Sequence, residues 1–350
     1  MPKLDNAKLS ALKKLLKQNK IDAYIISDFT DAKYFIGSVF FQGEEGILLA
    51  HNKGLYITAR SLYEAPMRAD FPQIKTEGCD SNRHLKIIET VKKLGLKNVA
   101  FDGGKETYAV GKDYAKAGFK DIPGLINQLR VAKTEAEIKL MKQSAAILYQ
   151  ALPYIKKFLK PGCTERQIAR LLEDFMQEKG ASGPSFPTMV SFGQGSSNPH
   201  FKTGDVKLKK NMPVMLDFGC CYKGYCSDIT RTFWYGDKPS EEFQKIYRIV
   251  EGAYKKAVKE AKFGMSGAQI DAIARGHIEA AGYGEYFTHR TGHGIGLQGH
   301  EAADIGQLNP NKIGENYCFS IEPGIYLPGK FGVRYEDCYY MTKKGLKILA

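Results

Sequence analysis

No stretch of this sequence approaches the roughly 18 consecutive apolar residues of a membrane span. The lysine-punctuated start, MPKLDNAKLSALKKLLKQNK, also lacks the continuous apolar segment of a secretory signal. No Gly-Lys-Ser or Gly-Lys-Thr closes a Walker sequence, and no GxGxxG follows a strand and opens a helix, so phosphate-loop and dinucleotide binding are set aside. There are only seven Cys, an odd number whose spacings form neither a paired-CxxC zinc pattern nor a secreted disulfide framework. A reducing, cytoplasmic setting is therefore expected. Long runs of one charge are absent too, since Lys207-Leu208-Lys209-Lys210 is interrupted and Lys343-Lys344 is short. The net charge of +13 is spread, with 22 basic and 15 acidic residues in 1–133 and 29 and 23 in 134–350. Such a spread reads as solubilising surface, and neither a nucleic-acid nor a membrane partner is expected.

What is present suits a chain of two domains. With 350 residues, 43% of them hydrophobic, the chain can bury two substantial cores without disulfides. Leu9, Leu12, Leu15 and Leu16 mark an amphipathic helix over 5–19, and short β-like runs follow at Ala23–Ile26, Gly46–Ala50 and Gly54–Thr58. A helical segment at His84–Leu94 leads into a strand at Asn98–Phe101. This alternation predicts an α/β domain ending near Arg130, in which His51 and His84 stand alone as structural residues. The seam falls at Val131-Ala132-Lys133, giving domains over 1–132 and 133–350. Thr134 with Glu137, Thr164 with Gln167 and Ser266 with Gln269 form capping-box patterns, each opening a helix. The first helix runs towards Leu159, with Pro153 as an expected kink or break. A further helix is expected over Glu241–Ala261.

The chemistry is concentrated in the second domain. Val214–Gly219 and Tyr225–Phe233 read as a hairpin. A two-residue turn at Tyr222-Lys223 would set Asp217 opposite Asp228, with Cβ atoms roughly 5 Å apart. Phe319–Tyr326 and Val333–Cys338 read as a second hairpin, symmetric about Gly329, which would oppose Glu322 and Glu336. Facing carboxylates repel, and divalent cations reverse that cost. His293 in the run HRTGHGIG is read as an imidazole ligand, while His200 and His300 are read as catalytic, His289 as a lesser candidate and His277 as structural. Four carboxylates and one imidazole make an oxygen-rich site for two divalent ions, favouring Mn2+, Co2+ or Fe2+, with Zn2+ not excluded. Cys220, Cys221 and Cys226 are read as packing residues.

In this order, LDFGCCYKGYCSDITRTF at 216–233, HRTGHGIG at 289–296, QGHE at 298–301, SIEPGIY at 320–326 and VRYED at 333–337 resemble the pita-bread metallopeptidases, the family of methionine aminopeptidase, aminopeptidase P and prolidase. SFPTMVSFGQGSSNPHF at 185–201 is similar to the segment that supplies a substrate-side histidine, here His200. The leading region and LRVAKTEAEI at 129–138 resemble the amino-terminal domain and junction of the proline-directed branch. The complete metal set departs from creatinase, and the leading domain departs from minimal methionine aminopeptidases. The resemblance implies a creatinase/prolidase-type α/β domain followed by an α+β pita-bread domain with a curved, mainly antiparallel sheet. It implies that Asp217, Asp228, His293, Glu322 and Glu336 ligate two metals, with Mn2+ the favoured ion and Asp228 and Glu336 bridging. It further implies hydrolysis of Xaa-Pro bonds by water held between the ions, with Glu322 as proton acceptor and His200 and His300 on the substrate oxyanion. His289 and Arg334 are expected around the ligands or at the substrate end. Short Xaa-Pro dipeptides are the favoured substrates, Xaa-Pro aminopeptidase action on longer peptides is the alternative, and a noncatalytic peptide-binding role ranks below both. A homodimer is the expected assembly.

Overall fold

The computed structural model describes residues 6–37 and 46–350. The chain divides into two compact units, Met1–Arg130 and Val131–Ala350. In the first, the leading helix spans Asn6–Gln18 and buries Leu12, Leu15 and Leu16, the leucine stripe of its sequence. Residue 5, where that helix is expected to begin, lies outside the described residues. The unit's six-stranded sheet is mixed. Ala23–Ile26, Gly46–His51 and Gly54–Ala59 pair antiparallel, while Val99–Phe101 and Lys75–Gly78 pair parallel with their neighbours. His84 contacts Asp113 at 3.2 Å, and His51 accepts from the Lys53 amide at 3.3 Å, so both sit in local polar contacts.

The second unit is built on a nine-stranded sheet. Every pairing in it is antiparallel. Its hub is the strand Phe331–Thr342, whose neighbours are Ile229–Tyr235, Cys318–Ile321, Gly324–Leu327 and Gly345–Ile348. Met212–Phe218 lies beyond Ile229–Tyr235. Two helix pairs cover the sheet, Glu135–Lys156 with Glu165–Glu178 and Glu241–Glu260 with Gly267–Ala280. Each pair encloses its own apolar core: Leu148, Leu172, Val214 and Leu216 meet in one, and Ile246, Ile270, Phe319 and Val333 in the other.

All three capping boxes form, with the side-chain oxygen accepting from the third helical amide and the Glu or Gln reaching back to the cap. Pro153, expected as a kink or break, does not break the helix, since Glu135–Lys156 runs through it. The proline costs one backbone hydrogen bond in the last turn, and burial of Ala151 and Ile155 in the core holds that turn in place.

A polar cluster ties both helix pairs to the hub strand. Asp337 Oδ1 accepts from Arg231 Nη2 at 2.7 Å and from the Tyr149 hydroxyl, and Oδ2 accepts from the Tyr254 hydroxyl at 2.5 Å. Tyr149 and Tyr254 come from the two long helices, so one carboxylate fixes both against the sheet. Replacing Asp337 by Ala leaves the largely buried Arg231 guanidinium without its counter-charge. Urea unfolding at neutral pH is expected to show a loss of about 3 kcal/mol or more, whereas Ala in place of the exposed Asp205 leaves the midpoint nearly unchanged.

Candidate metal centre

The two ligand hairpins differ in how closely they follow their sequence pattern. Around Gly329 the register is the symmetric one: Gly324 faces Arg334 and Ile325 faces Val333. Ile321 facing Asp337 continues the same register on the far side of Pro323, which sets Glu322 across from Glu336. The first hairpin turns one residue later than expected. Its central residues are Lys223 and Gly224, both with positive φ (47° and 87°), and Tyr222 pairs with Tyr225. Two successive positive φ values match the right-handed twist of the flanking strands, and Gly224 accepts this conformation without a Cβ penalty. Asp217 consequently faces Thr230, and Asp228 lies two residues along rather than directly opposite. Thr230 in turn faces Glu336, so Asp217, Thr230, Glu336 and Glu322 form a row across adjacent strands.

His293 enters from the short strand Gly292–Gly294, which is clamped between two neighbours. A Cβ at Gly292 would stand 1.9 Å from the Ser320 carbonyl oxygen and one at Gly294 1.7 Å from that of Ala302, so only glycine permits the strand to lie there. The Nδ1 of His293 sits 3.1 Å from the Gly294 carbonyl oxygen and must donate to it, since a carbonyl carries no proton. Its Nε2 then presents a lone pair, at 3.3 Å from Glu322 Oε1 and 3.6 Å from Asp228 Oδ2. Burial lowers the His293 pKa to about 4, which keeps the imidazole neutral. A lone pair facing carboxylate oxygens suits a cation held between them.

The carboxylates carry the same implication. Asp217 Oδ1, Asp228 Oδ1 and Glu336 Oε1 are buried and without a hydrogen-bond partner. Burial raises the pKa values of Asp228 and Glu336 well above the usual carboxylate range, and the neighbouring carboxylates push them further up. Asp228, His293 and Glu336 bring one ligand atom each within 4.8 Å of one another. Unpartnered hard oxygens, mutual repulsion and an unprotonated imidazole fit a divalent cation. Asp217, Asp228, His293, Glu322 and Glu336 all line one cavity of about 620 Å3, together with His200, His289, His300 and Arg334.

The remaining oxygens are oriented by neutral or cationic donors. Thr230 donates to Glu336 Oε2 at 2.6 Å, Ser320 to Glu322 Oε1 at 3.0 Å, and Arg334 to Asp217 Oδ2 at 2.5 Å. Arg334 also donates to the Tyr326 hydroxyl at 2.7 Å. His289 Nδ1 donates to the Arg290 carbonyl at 2.7 Å, leaving its Nε2 to accept from Tyr326 at 2.8 Å. His289, Tyr326 and Arg334 therefore form one hydrogen-bonded chain that ends on Asp217. His200 lies exposed on the cavity wall. His300 packs edge-on against His293, with ring centroids 3.9 Å apart, and burial lowers its pKa to about 4.

Several positioning residues carry no obvious motif. Asp271 accepts from the Thr291 amide at 2.9 Å and from Arg275, which donates onward to the Phe287 and His289 carbonyls. This buried pair holds the loop leading to His293 on the helix Gly267–Ala280. Its sequence trace is the i, i+4 spacing of Asp271 and Arg275 alone. Lys133 donates to Glu301 at 3.1 Å in a pair whose side chains are 2% and 3% exposed. Glu301 Oε1 accepts from the Gln298 amide at 3.1 Å, closing the turn that carries His300.

The profile of metallopeptidase family M24 matches residues 139–343, and that of the creatinase/prolidase N-terminal domain matches residues 8–132. The chain belongs to metallopeptidase family M24. This M24 chain is 34% identical over 352 residues to the uncharacterized peptidase YqhT of Bacillus subtilis (strain 168), covering 98% of this chain and 97% of that protein. Among solved structures, the Xaa-Pro dipeptidase from Bacillus anthracis superposes with a TM-score of 0.91 at 33% identity, covering 98% of this chain and 96% of that one. The X-Pro aminopeptidase from Thermotoga maritima gives 0.85 at 33% identity, covering 96% and 97%. The M24 assignment and the cavity agree on a metal-binding cluster of Asp, His and Glu.

Raised carboxylate pKa values give the M24 centre a pH signature. A carboxyl whose folded pKa is raised stabilises the metal-free fold below its unfolded pKa, and that contribution disappears as pH rises through the folded value. Asp228→Asn removes one repelling charge and is expected to raise the unfolding midpoint of chelator-stripped protein. About 1 kcal/mol corresponds to roughly 2–4 °C for a unit of this size. The same substitution should abolish the further stabilisation by added Mn2+. In the unsubstituted protein, Mn2+ affinity should rise with pH as the cation displaces protons, a trend that calorimetry in buffers of different ionisation enthalpy measures directly.

Proposed function

We propose that the chain is a dinuclear-metal hydrolase of the Xaa-Pro bond, acting on Xaa-Pro dipeptides, with Mn2+ as the preferred ion. The observation that carries this reading is the set of three buried, unpartnered carboxylate oxygens in one cavity. Asp217, Asp228, His293, Glu322 and Glu336 are the proposed ligands. Divalent ions held there supply Lewis-acid polarisation of the scissile carbonyl and lower the proton affinity of an attacking water.

The chain's own groups do the rest. Glu322, whose side chain is 14% exposed and whose Oε1 is oriented by Ser320, accepts the proton of the attacking water. His200 and His300 line the cavity and donate N–H to the oxygen that gains charge. Through Tyr326, His289 orients Arg334, which holds Asp217 in place. Phe186, Pro187 and Phe201 give the cavity an apolar wall suited to a pyrrolidine ring. Lys202 and Arg290 line the same cavity; Arg290 is paired with Asp304 at 2.6 Å, so the Lys202 ammonium is the charge that suits a terminal carboxylate directly after the proline. A dipeptide carries that group there and a longer peptide does not. The similarity to the Bacillus anthracis Xaa-Pro dipeptidase supports the same choice.

Chelator-stripped and Mn2+-reconstituted protein should be assayed against Xaa-Pro dipeptides and matching Xaa-Pro-Xaa tripeptides. Metal-dependent cleavage that favours the dipeptide is expected; efficient release of the first residue from the tripeptide would make the chain an aminopeptidase. Lys202→Ala should raise KM for dipeptides about tenfold, equivalent to about 1.4 kcal/mol, with little effect on tripeptides. His300→Ala should lower kcat by roughly 100- to 1,000-fold while metal content measured by atomic emission stays constant. Equal loss of metal and activity would assign His300 to ligation or folding.

A further inference from the structure

The hairpin that delivers Asp217 and Asp228 also brings two thiols together. Cys221 and Cys226 are direct cross-strand partners, one pair removed from the Lys223-Gly224 turn. In a two-residue hairpin the pair flanking the turn exchanges ladder hydrogen bonds, so the next pair is of the non-hydrogen-bonded kind, in which side chains approach most closely. The backbone partners agree. The Cys226 amide donates to Gly296 at 2.7 Å, and the Cys221 carbonyl accepts from the Ser182 amide at 2.8 Å, so both groups point away from the opposing strand. Facing Cα atoms in such pairs are about 4.5 Å apart, within the roughly 4.4–6.8 Å span of disulfides. The two sulfurs are unbridged and in contact.

We propose that Cys221 and Cys226 are a reversible modification site, oxidised to a cross-strand disulfide by exchange with a small-molecule disulfide. Access sets the order of events, since Cys221 is half-buried and Cys226 is only 2% exposed. The Cys221 thiolate attacks one sulfur of the incoming disulfide, and the first small thiolate leaves. Cys226 then gives up its proton and attacks Cys221 Sγ, expelling the second. Two protein thiols are oxidised, the small disulfide is reduced to two thiols, and the two protons end on them. The adjacent Cys220 does not compete, because its thiol lies on the opposite side of the strand against Ser144 and Ser227. Neither Cys221 nor Cys226 lines the cavity. The bridge therefore leaves the substrate path open and acts on the hairpin, tying the strand that ends two residues before Asp228.

Full-length protein should be incubated with oxidised glutathione, alkylated and mapped by mass spectrometry. The expected product has lost two hydrogens, contains a Cys221–Cys226 crosslinked peptide, shows two fewer alkylated thiols, and reverts with dithiothreitol. Cys226→Ser should retain glutathione as a mixed disulfide on Cys221. In the half-buried Cys221→Ser variant, Cys226 should remain alkylatable after unfolding, with no intramolecular bridge. Seven alkylated thiols and an unchanged mass in the unsubstituted protein would overturn the proposal. So would a bridge that maps to Cys318 or Cys338, or one that forms between chains.

Discussion

Repulsion among four carboxylates is the constraint around which the catalytic unit is arranged. Asp217, Asp228, Glu322 and Glu336 are gathered in one cavity, where burial and mutual charge drive Asp228 and Glu336 towards their protonated forms. A protein core ordinarily resolves such a conflict by pairing each acid with a base. Here Arg334 pairs with Asp217, but Thr230 and Ser320 supply neutral donors to Glu336 and Glu322. Three oxygens are left over, and the neutral imidazole of His293 adds a lone pair. A divalent cation bound in the cluster would offset that repulsion and so link folding of this region to metal occupancy.

Rigidity on the other side of the hub strand complements this arrangement. Successive residues of a strand point to opposite faces, so Glu336 faces the cavity while Asp337 gathers Arg231, Tyr149 and Tyr254 beneath it. Two further buried ion pairs, Asp271 with Arg275 and Lys133 with Glu301, hold the loops that carry His289, His293 and His300. The imidazoles are thus set by pairs whose charges are satisfied, whereas Asp217 Oδ1, Asp228 Oδ1 and Glu336 Oε1 are left unsatisfied. That division keeps a ligand geometry in place against its own repulsion.

Much of the architecture was legible because local chemistry dictates it. Capping boxes at Thr134, Thr164 and Ser266 require only residues three positions apart, and all three form. The Gly329 hairpin preserved its symmetric register, so Glu322 and Glu336 could be set face to face from spacing alone. The first hairpin was harder to place because Tyr222-Lys223 and Lys223-Gly224 are both two-residue turns on paper. The requirement for two positive φ values selects the second. Pro153 reads locally as a helix breaker, and the core around Ala151 and Ile155 outweighs it.

From the sequence alone came the acids and the imidazole that are proposed as ligands, their order along the chain and the hairpins on or beside which the acids sit, since these follow from side-chain chemistry and short-range periodicity. Only the tertiary structure decided that Asp217 faces Thr230, that His289 reaches Asp217 through Tyr326 and Arg334, and that Lys133 closes the His300 turn through Glu301. Those contacts join residues as far as 168 positions apart. Distance in sequence carries no signal for them, because each is created by the packing of strands and loops whose own formation is local.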